Sequence, residues 1–197
     1  MLPSREKGGD SPGYGNFGHQ LAKGDKMADA QALKQSERGE VPAAIVGEVA
    51  VLAEPEDERA WVPQAPQVWF RPLLLDTVTG QWCNLLRVRK SGVVNRHRHP
   101  SAVTGYVIRG RWRYLEHDWV AETGSFVYEP PGEVHTLVVP DGCDEMVTFF
   151  NVRGAMVYLD EAGRVSGYED VHSKIDMCIA HYEANGLGRG YLEQFVR

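Results

Sequence analysis

Three histidines carry the most specific chemistry in this sequence. His97 and His99 are separated by one residue, and His135 follows the turn Pro130-Pro131-Gly132. Residues i and i+2 of a strand share a face, with Cα atoms about 6.5–7 Å apart. His97 and His99 can therefore converge on one ion, while Arg96 and Arg98 point the other way, as charges on an outer face should. Imidazole nitrogens bind a divalent ion at about 2.0–2.1 Å in the zinc case, and they suit iron, zinc, copper and nickel alike. His135 opens an apolar run (Leu137, Val138, Val139) and offers a third donor.

These residues need strands to hold them. Short apolar or alternating runs occur at Val49–Ala53, Val68–Leu75, Gln81–Val88, Gly105–Arg109, Arg111–Leu115, Ser125–Tyr128, His135–Val139, Met146–Asn151 and Ala155–Leu159. Each is closed by turn residues such as Thr79-Gly80, Ser91-Gly92, Gly110, Gly124 and Asp141-Gly142. Strands of about five residues at short, regular spacing indicate an antiparallel sandwich or barrel. One helix follows over Asp170–Gly186, where Val171, Ile175, Cys178, Ile179 and Tyr182 recur at helical spacing. Asp170 can cap its start and Gly186 its end. This helix is expected to pack on the outside of the barrel or at a subunit contact.

The chain has 197 residues, 43% of them hydrophobic, and a net charge of −6. That length suits one domain or slightly more. The acidic balance argues against nucleic acid or an anionic membrane as partner, since both attract clustered Lys and Arg. No apolar run approaches a membrane span. Three cysteines, Cys83, Cys143 and Cys178, lack metal-ligand spacing and point to a reducing, cytoplasmic location. Residues 1–40 are poor in apolar side chains, carry no net charge and are expected to be a disordered tail, leaving 41–197 as the domain.

The two histidine motifs resemble those of the cupin superfamily, G-x5-H-x-H-x3/4-E-x6-G followed by G-x5-P-x-G-x2-H-x3-N. The second motif matches from Gly124 through His135 at every fixed position, with Val139 in place of the final Asn. The first matches at His97, His99 and Gly110, with four residues instead of five after Gly92. Its glutamate is missing, because the ligand position falls on Val103, or on Thr104 in the neighbouring register. The resemblance implies an all-β fold: a single jelly-roll barrel with a C-terminal helix. Across residues 60–197, segments such as Val94–His99, Gly110–Trp119 and Phe126–Leu137 are similar to the 2,4′-dihydroxyacetophenone dioxygenase family. That family implies an Fe(II) cofactor on His97, His99 and His135, with a C–C bond next to a carbonyl cleaved by O2 to give 4-hydroxybenzoate and formate.

Three neutral imidazoles without an acid would leave a divalent ion its full charge and about three open positions for a chelating substrate and O2. No separate protein nucleophile is expected. Alternation on their strands makes Trp112, Tyr114, Phe126 and Tyr128 candidates for the substrate-pocket wall, or else simply barrel core. Glu129 either tunes the site or faces a sheet edge. His117 reads as part of a polar turn, and His172 and His181 as solvated positions on the helix. The expected partners are a small-molecule substrate, O2 and a second copy of the chain, as dimer or tetramer. The alternative function is a zinc-binding cupin sensor without catalysis.

Overall fold

The computed structural model describes residues 48–52 and 56–197, all within the unit Val46–Arg197. The tail expected over residues 1–40 lies outside the described residues. Twelve strands run in chain order: β1 (Val62–Ala65), β2 (Val68–Leu75), β3 (Gln81–Val88), β4 (Gly92–Arg98), β5 (Val103–Arg109), β6 (Arg111–Tyr114), β7 (Ala121–Glu122), β8 (Phe126–Glu129), β9 (Val134–Val139), β10 (Met146–Arg153), β11 (Met156–Leu159) and β12 (Val165–Glu169). The helix α1 (Val171–Ala184) follows. One six-stranded sheet is ordered β1-β2-β3-β10-β5-β8 and the other β12-β11-β4-β9-β6-β7. Every strand pair is antiparallel. This is the all-β barrel-like architecture expected from the sequence, with one C-terminal helix.

The apolar runs become strands because alternation gives each one a face to bury. Phe70, Trp82, Val103, Val107, Trp112, Leu137, Met146, Phe150 and Val152 form a single core cluster. Residues 49–52 carry no regular structure, so the strand expected at Val49–Ala53 is absent there, and Ala53 lies outside the described residues. Val51 packs on the core without a strand partner. Three further strands, β1, β7 and β12, are short and carry Pro, Gln, Glu, Ser or Gly, so their apolar signal is weak. Gly105 on β5 is a packing requirement: a Cβ there would lie 2.9 Å from Phe150 Cε1.

Helix α1 starts at the expected cap. The Asp170 side chain accepts from the Ser173 backbone N–H, and Ser173 returns a bond to the cap. Gly186 takes φ +77°, the left-handed stop that glycine tolerates best. The helix packs against β1 and β2 of one sheet and β12 of the other. Since β1 and β12 are edge strands, α1 closes the gap between the two sheets instead of lying on the outside of the barrel. Its buried residues include Lys174 alongside Val171, Cys178 and Tyr182.

Candidate metal centre

His97 sits near the middle of the second sheet, paired across strands with His135 on β9 and Tyr158 on β11. His99 lies one residue past the end of β4, on the same face. The turn after β8 is tied to it, because the Gly132 backbone N–H donates to the His99 carbonyl at 2.7 Å. That bond fastens one histidine motif to the other. The three rings are close: centroids lie 4.9 Å apart for His97–His99, 4.7 Å for His97–His135 and 6.0 Å for His99–His135. All three are buried.

A fourth donor stands among them. Glu129 is 2% exposed, and one ligand atom from each of His97, His99, Glu129 and His135 lies within 4.8 Å of every other. Glu129 Oε2 is 3.5 Å from His99 Nε2 and 3.4 Å from His135 Nε2. The expected acid-free arrangement is therefore corrected: a carboxylate is present, supplied by the second motif. Its position explains how. The acid position of the first motif falls on Val103, and Val103 pairs directly with Glu129 across β5 and β8. The carboxylate stands one strand over from that position, in the same row of the sheet.

Second-layer contacts orient these groups. Tyr114 Oη donates to Glu129 Oε1 at 2.7 Å, and its ring stacks on His135 with centroids 4.1 Å apart and planes 7° off parallel. Burial first, then Glu129, push the Tyr114 hydroxyl well above its ordinary value, so it stays protonated and donates. His99 Nδ1 lies 3.1 Å from the Ala155 carbonyl, which turns Nε2 toward Glu129. Burial holds His97 well below the ordinary imidazole value, and neighbouring His99 and His135 add to the effect. Burial also lowers His99, with Glu129 opposing. Both rings are thus kept neutral, the form that binds metal.

The donor set passes a further test of fit. Glu129 Oε2, His97 Nδ1 and both nitrogens of His135 are buried without hydrogen-bond partners. Buried polar atoms are rarely left so, and a divalent ion among these four side chains would engage a lone pair on each. The site opens on a cavity of about 50 Å³. Its apolar wall includes Trp82, Leu86, Val103, Leu137, Phe150, Val152 and Met156, with Tyr114 and Glu129 beside the histidines.

The expected pocket wall is only partly found there. Tyr114 lines the cavity; Trp112 is fully buried behind it, with centroids 5.0 Å apart. Phe126 and Tyr128 are 66% and 58% exposed and lie outside the cavity lining. Alternation on β8 instead turns Val127 and Glu129 inward. The sequence Phe-Val-Tyr-Glu offers one face of aromatics and one of valine and glutamate, and only the site's partners favour the second. Gln64, Asn84, Asn95 and Lys174 also line the cavity and were not expected. His172 is exposed as expected, whereas His181 is half-buried, with Nε2 3.0 Å from the Arg59 carbonyl. His117 stacks on Trp119 within its own turn and lies 3.2 Å from Glu133 in the turn between β8 and β9.

A family model described as the ChrR cupin-like domain matches residues 50–157. An RmlC-like cupin from Ralstonia eutropha JMP134 is 33% identical, with a TM-score of 0.61, over 64% of this chain and 83% of that one. An acetylacetone dioxygenase from Acinetobacter johnsonii is 14% identical over 72% of this chain and 99% of that one, with a TM-score of 0.59, and shares the fold. No curated protein matches the sequence. With its jelly-roll sheets, its paired histidine motifs and a family match over more than half its length, the chain belongs to the ChrR cupin-like family.

Proposed function

We propose that this protein is an Fe(II)-dependent dioxygenase that cleaves a C–C bond adjacent to a carbonyl in a small oxygenated molecule, with aromatic α-hydroxyketones as the preferred class. The observation that carries the reading is a set of four buried donors, three of them with unpaired atoms (His97, Glu129 and His135), beside an otherwise largely apolar cavity lined by His97, His99 and Glu129. Two further points support it: the resemblance of residues 60–197 to 2,4′-dihydroxyacetophenone dioxygenases, and the fold shared with a protein named acetylacetone dioxygenase.

His97, His99, His135 and Glu129 would hold the ion. With Glu129 counted, the site charge falls from +2 to +1, and a six-coordinate ion keeps two open positions instead of three. When bound, the metal supplies Lewis-acid polarisation of the substrate oxygens and, as iron, redox access to O2. The protein does the rest. Tyr114 fixes the carboxylate by its 2.7 Å bond and fixes the His135 ring by stacking. Burial keeps His97 and His99 neutral. Trp82, Leu137, Phe150 and Val152 exclude water and offer flat apolar surface to a ring.

For 2,4′-dihydroxyacetophenone the reaction balances with O2 alone. The bond between the carbonyl and hydroxymethyl carbons breaks, one oxygen atom joins each fragment, and the two carbons together give up the four electrons that O2 accepts. Products are 4-hydroxybenzoic and formic acids, with no external reductant.

A second reading is a zinc-binding cupin with a sensing or regulatory role and no turnover, with which the matching family's description, naming ChrR, is compatible. Elemental analysis of protein purified without added metal, followed by O2 uptake on α-hydroxyketones and β-diketones, separates the two. Iron with substrate-dependent O2 uptake supports the dioxygenase. Stoichiometric zinc, with no uptake after iron loading, refutes it in favour of the sensor.

A further inference from the structure

The two aromatics of β8 that face away from the cavity belong to a larger surface. Phe126 and Tyr128 project from the outside of the first sheet and are 66% and 58% exposed. Cross-strand pairing sets Tyr106 of β5 beside Phe126, and Thr104 beside Tyr128. The row through Tyr106 continues to Phe149 on β10 and Leu85 on β3, both half-buried. Ile108 is 47% exposed and extends the surface along β5. This part of the sheet is thus apolar on both faces, although the barrel core covers one of them. Taking about 200 Å² for a whole ring, Tyr106, Phe126 and Tyr128 alone expose about 350 Å². Single exposed apolar residues are ordinary, but a contiguous patch of this size marks a contact surface.

We infer that the outer face of β3, β10, β5 and β8 is where a second copy of the chain docks, sheet against sheet about a two-fold axis. Charge favours this occupant. The chain carries −6, so two copies repel unless they meet through a surface free of acids. Strands β3, β10 and β5 contain no Asp or Glu, and the one acid of β8, Glu129, points inward. None of the chain's 27 acidic side chains therefore projects from these strands on that face. At its rim Arg87 pairs with Glu58 and Arg109 with Glu145, so no cluster of unpaired cations invites an acidic peptide or a nucleic acid. Shape agrees, since the natural complement of a sheet face is another sheet stacked at about 10 Å. Area agrees as well: Ile108, Thr104, Phe149 and Leu85 extend the exposed rings toward the roughly 800 Å² that each partner buries in a stable complex. A two-fold contact is self-complementary, so one patch serves both copies. Strand β8 then has two tasks, offering Glu129 to the metal centre on one face and Phe126 and Tyr128 to the partner on the other. The pairing does not depend on which chemistry the metal centre performs.

The test is analytical ultracentrifugation of the full chain over a concentration series. Wild-type protein should sediment at twice the chain mass of 22.0 kDa. Tyr106→Lys/Phe126→Lys sets like charges against each other and should shift it to the single-chain mass, with an unchanged far-UV circular dichroism spectrum. Mixing that variant with Tyr106→Glu/Phe126→Glu should restore the dimer, because opposite charges then meet; only a face that contacts its own copy behaves so. Phe126→Ser adds no charge and should weaken the dimer by about tenfold or more, as loss of an interface aromatic does, which keeps the test decisive if the charged variants fail to fold. Val165→Lys/Tyr168→Lys, at 62% and 65% exposed positions on β12, should leave the dimer intact. A wild-type monomer at every concentration overturns the inference and leaves the face to a different protein. A dimer that Phe126→Ser does not weaken overturns it in favour of another surface.

Discussion

Replacing Glu129 by Gln separates the two things a buried carboxylate can do. In the metal-free protein this group is 2% exposed, and its one hydrogen bond is the 2.7 Å contact from Tyr114. Oε2 has no hydrogen-bond partner. Burying an ion this poorly paired costs several kcal/mol, and glutamine removes the charge while keeping an acceptor for Tyr114. We expect metal-free Glu129→Gln to be more stable than wild type by about 1–2 kcal/mol, because one hydrogen bond is retained in weaker, neutral form. For a domain of this size that is a rise of roughly 2–8 °C in Tm. Metal affinity should move the other way. Changes to groups that only orient a ligand cost about 10–100-fold, so losing a ligand itself should cost at least 100-fold. Calorimetric melts with a chelator, and chelator competition for Fe(II) or Zn(II), give the two numbers. Unchanged metal affinity would remove Glu129 from the site. A fall in metal-free Tm would show that the carboxylate is structural.

Three further outcomes follow from the same structure. His97 and His99 have folded values lowered below the ordinary 6.5, so the unfolded chain binds more protons on acidification and metal-free stability should be full above about pH 6.5 and decline below it; urea midpoints between pH 7.5 and 5 measure this, and His97→Asn/His99→Asn should flatten the dependence. Gly105→Ala places a Cβ 2.9 Å from the Phe150 ring and should destabilise by about 1–3 kcal/mol, with Phe150→Leu restoring part of it in the double variant. Lys174→Met alone leaves Glu169 near α1 without its ammonium and should cost about 3–5 kcal/mol in urea unfolding, most of which Glu169→Gln recovers.

Much of the fold was legible because it depends on alternation and punctuation. The runs Val68–Leu75 and Gln81–Val88 are strands over the full expected ranges, and Asp170 and Gly186 bound the helix as their side-chain chemistry requires. Short strands such as β7 and β12 were not, since they are held by neighbours more than by their own apolar content. The spacing His-x-His also sufficed to place two rings on one face, and the Pro-x-Gly turn to bring a third beside them.

What the sequence could not decide was which face of a short strand turns inward. Phe126 to Glu129 reads equally well in either register, and a shift of one residue exchanges the whole set of inward side chains. Only assembly of the two sheets resolved it: Tyr114 supplies the hydrogen bond that makes a buried Glu129 tolerable, and the pairing Val103↔Glu129 delivers the acid from an adjacent strand. Lys174 follows the same logic, since its burial depends on Glu169 and Gln64, which reach it from other elements. Backbone periodicity is a property of the chain itself, whereas the burial of a charge depends on partners far away in sequence.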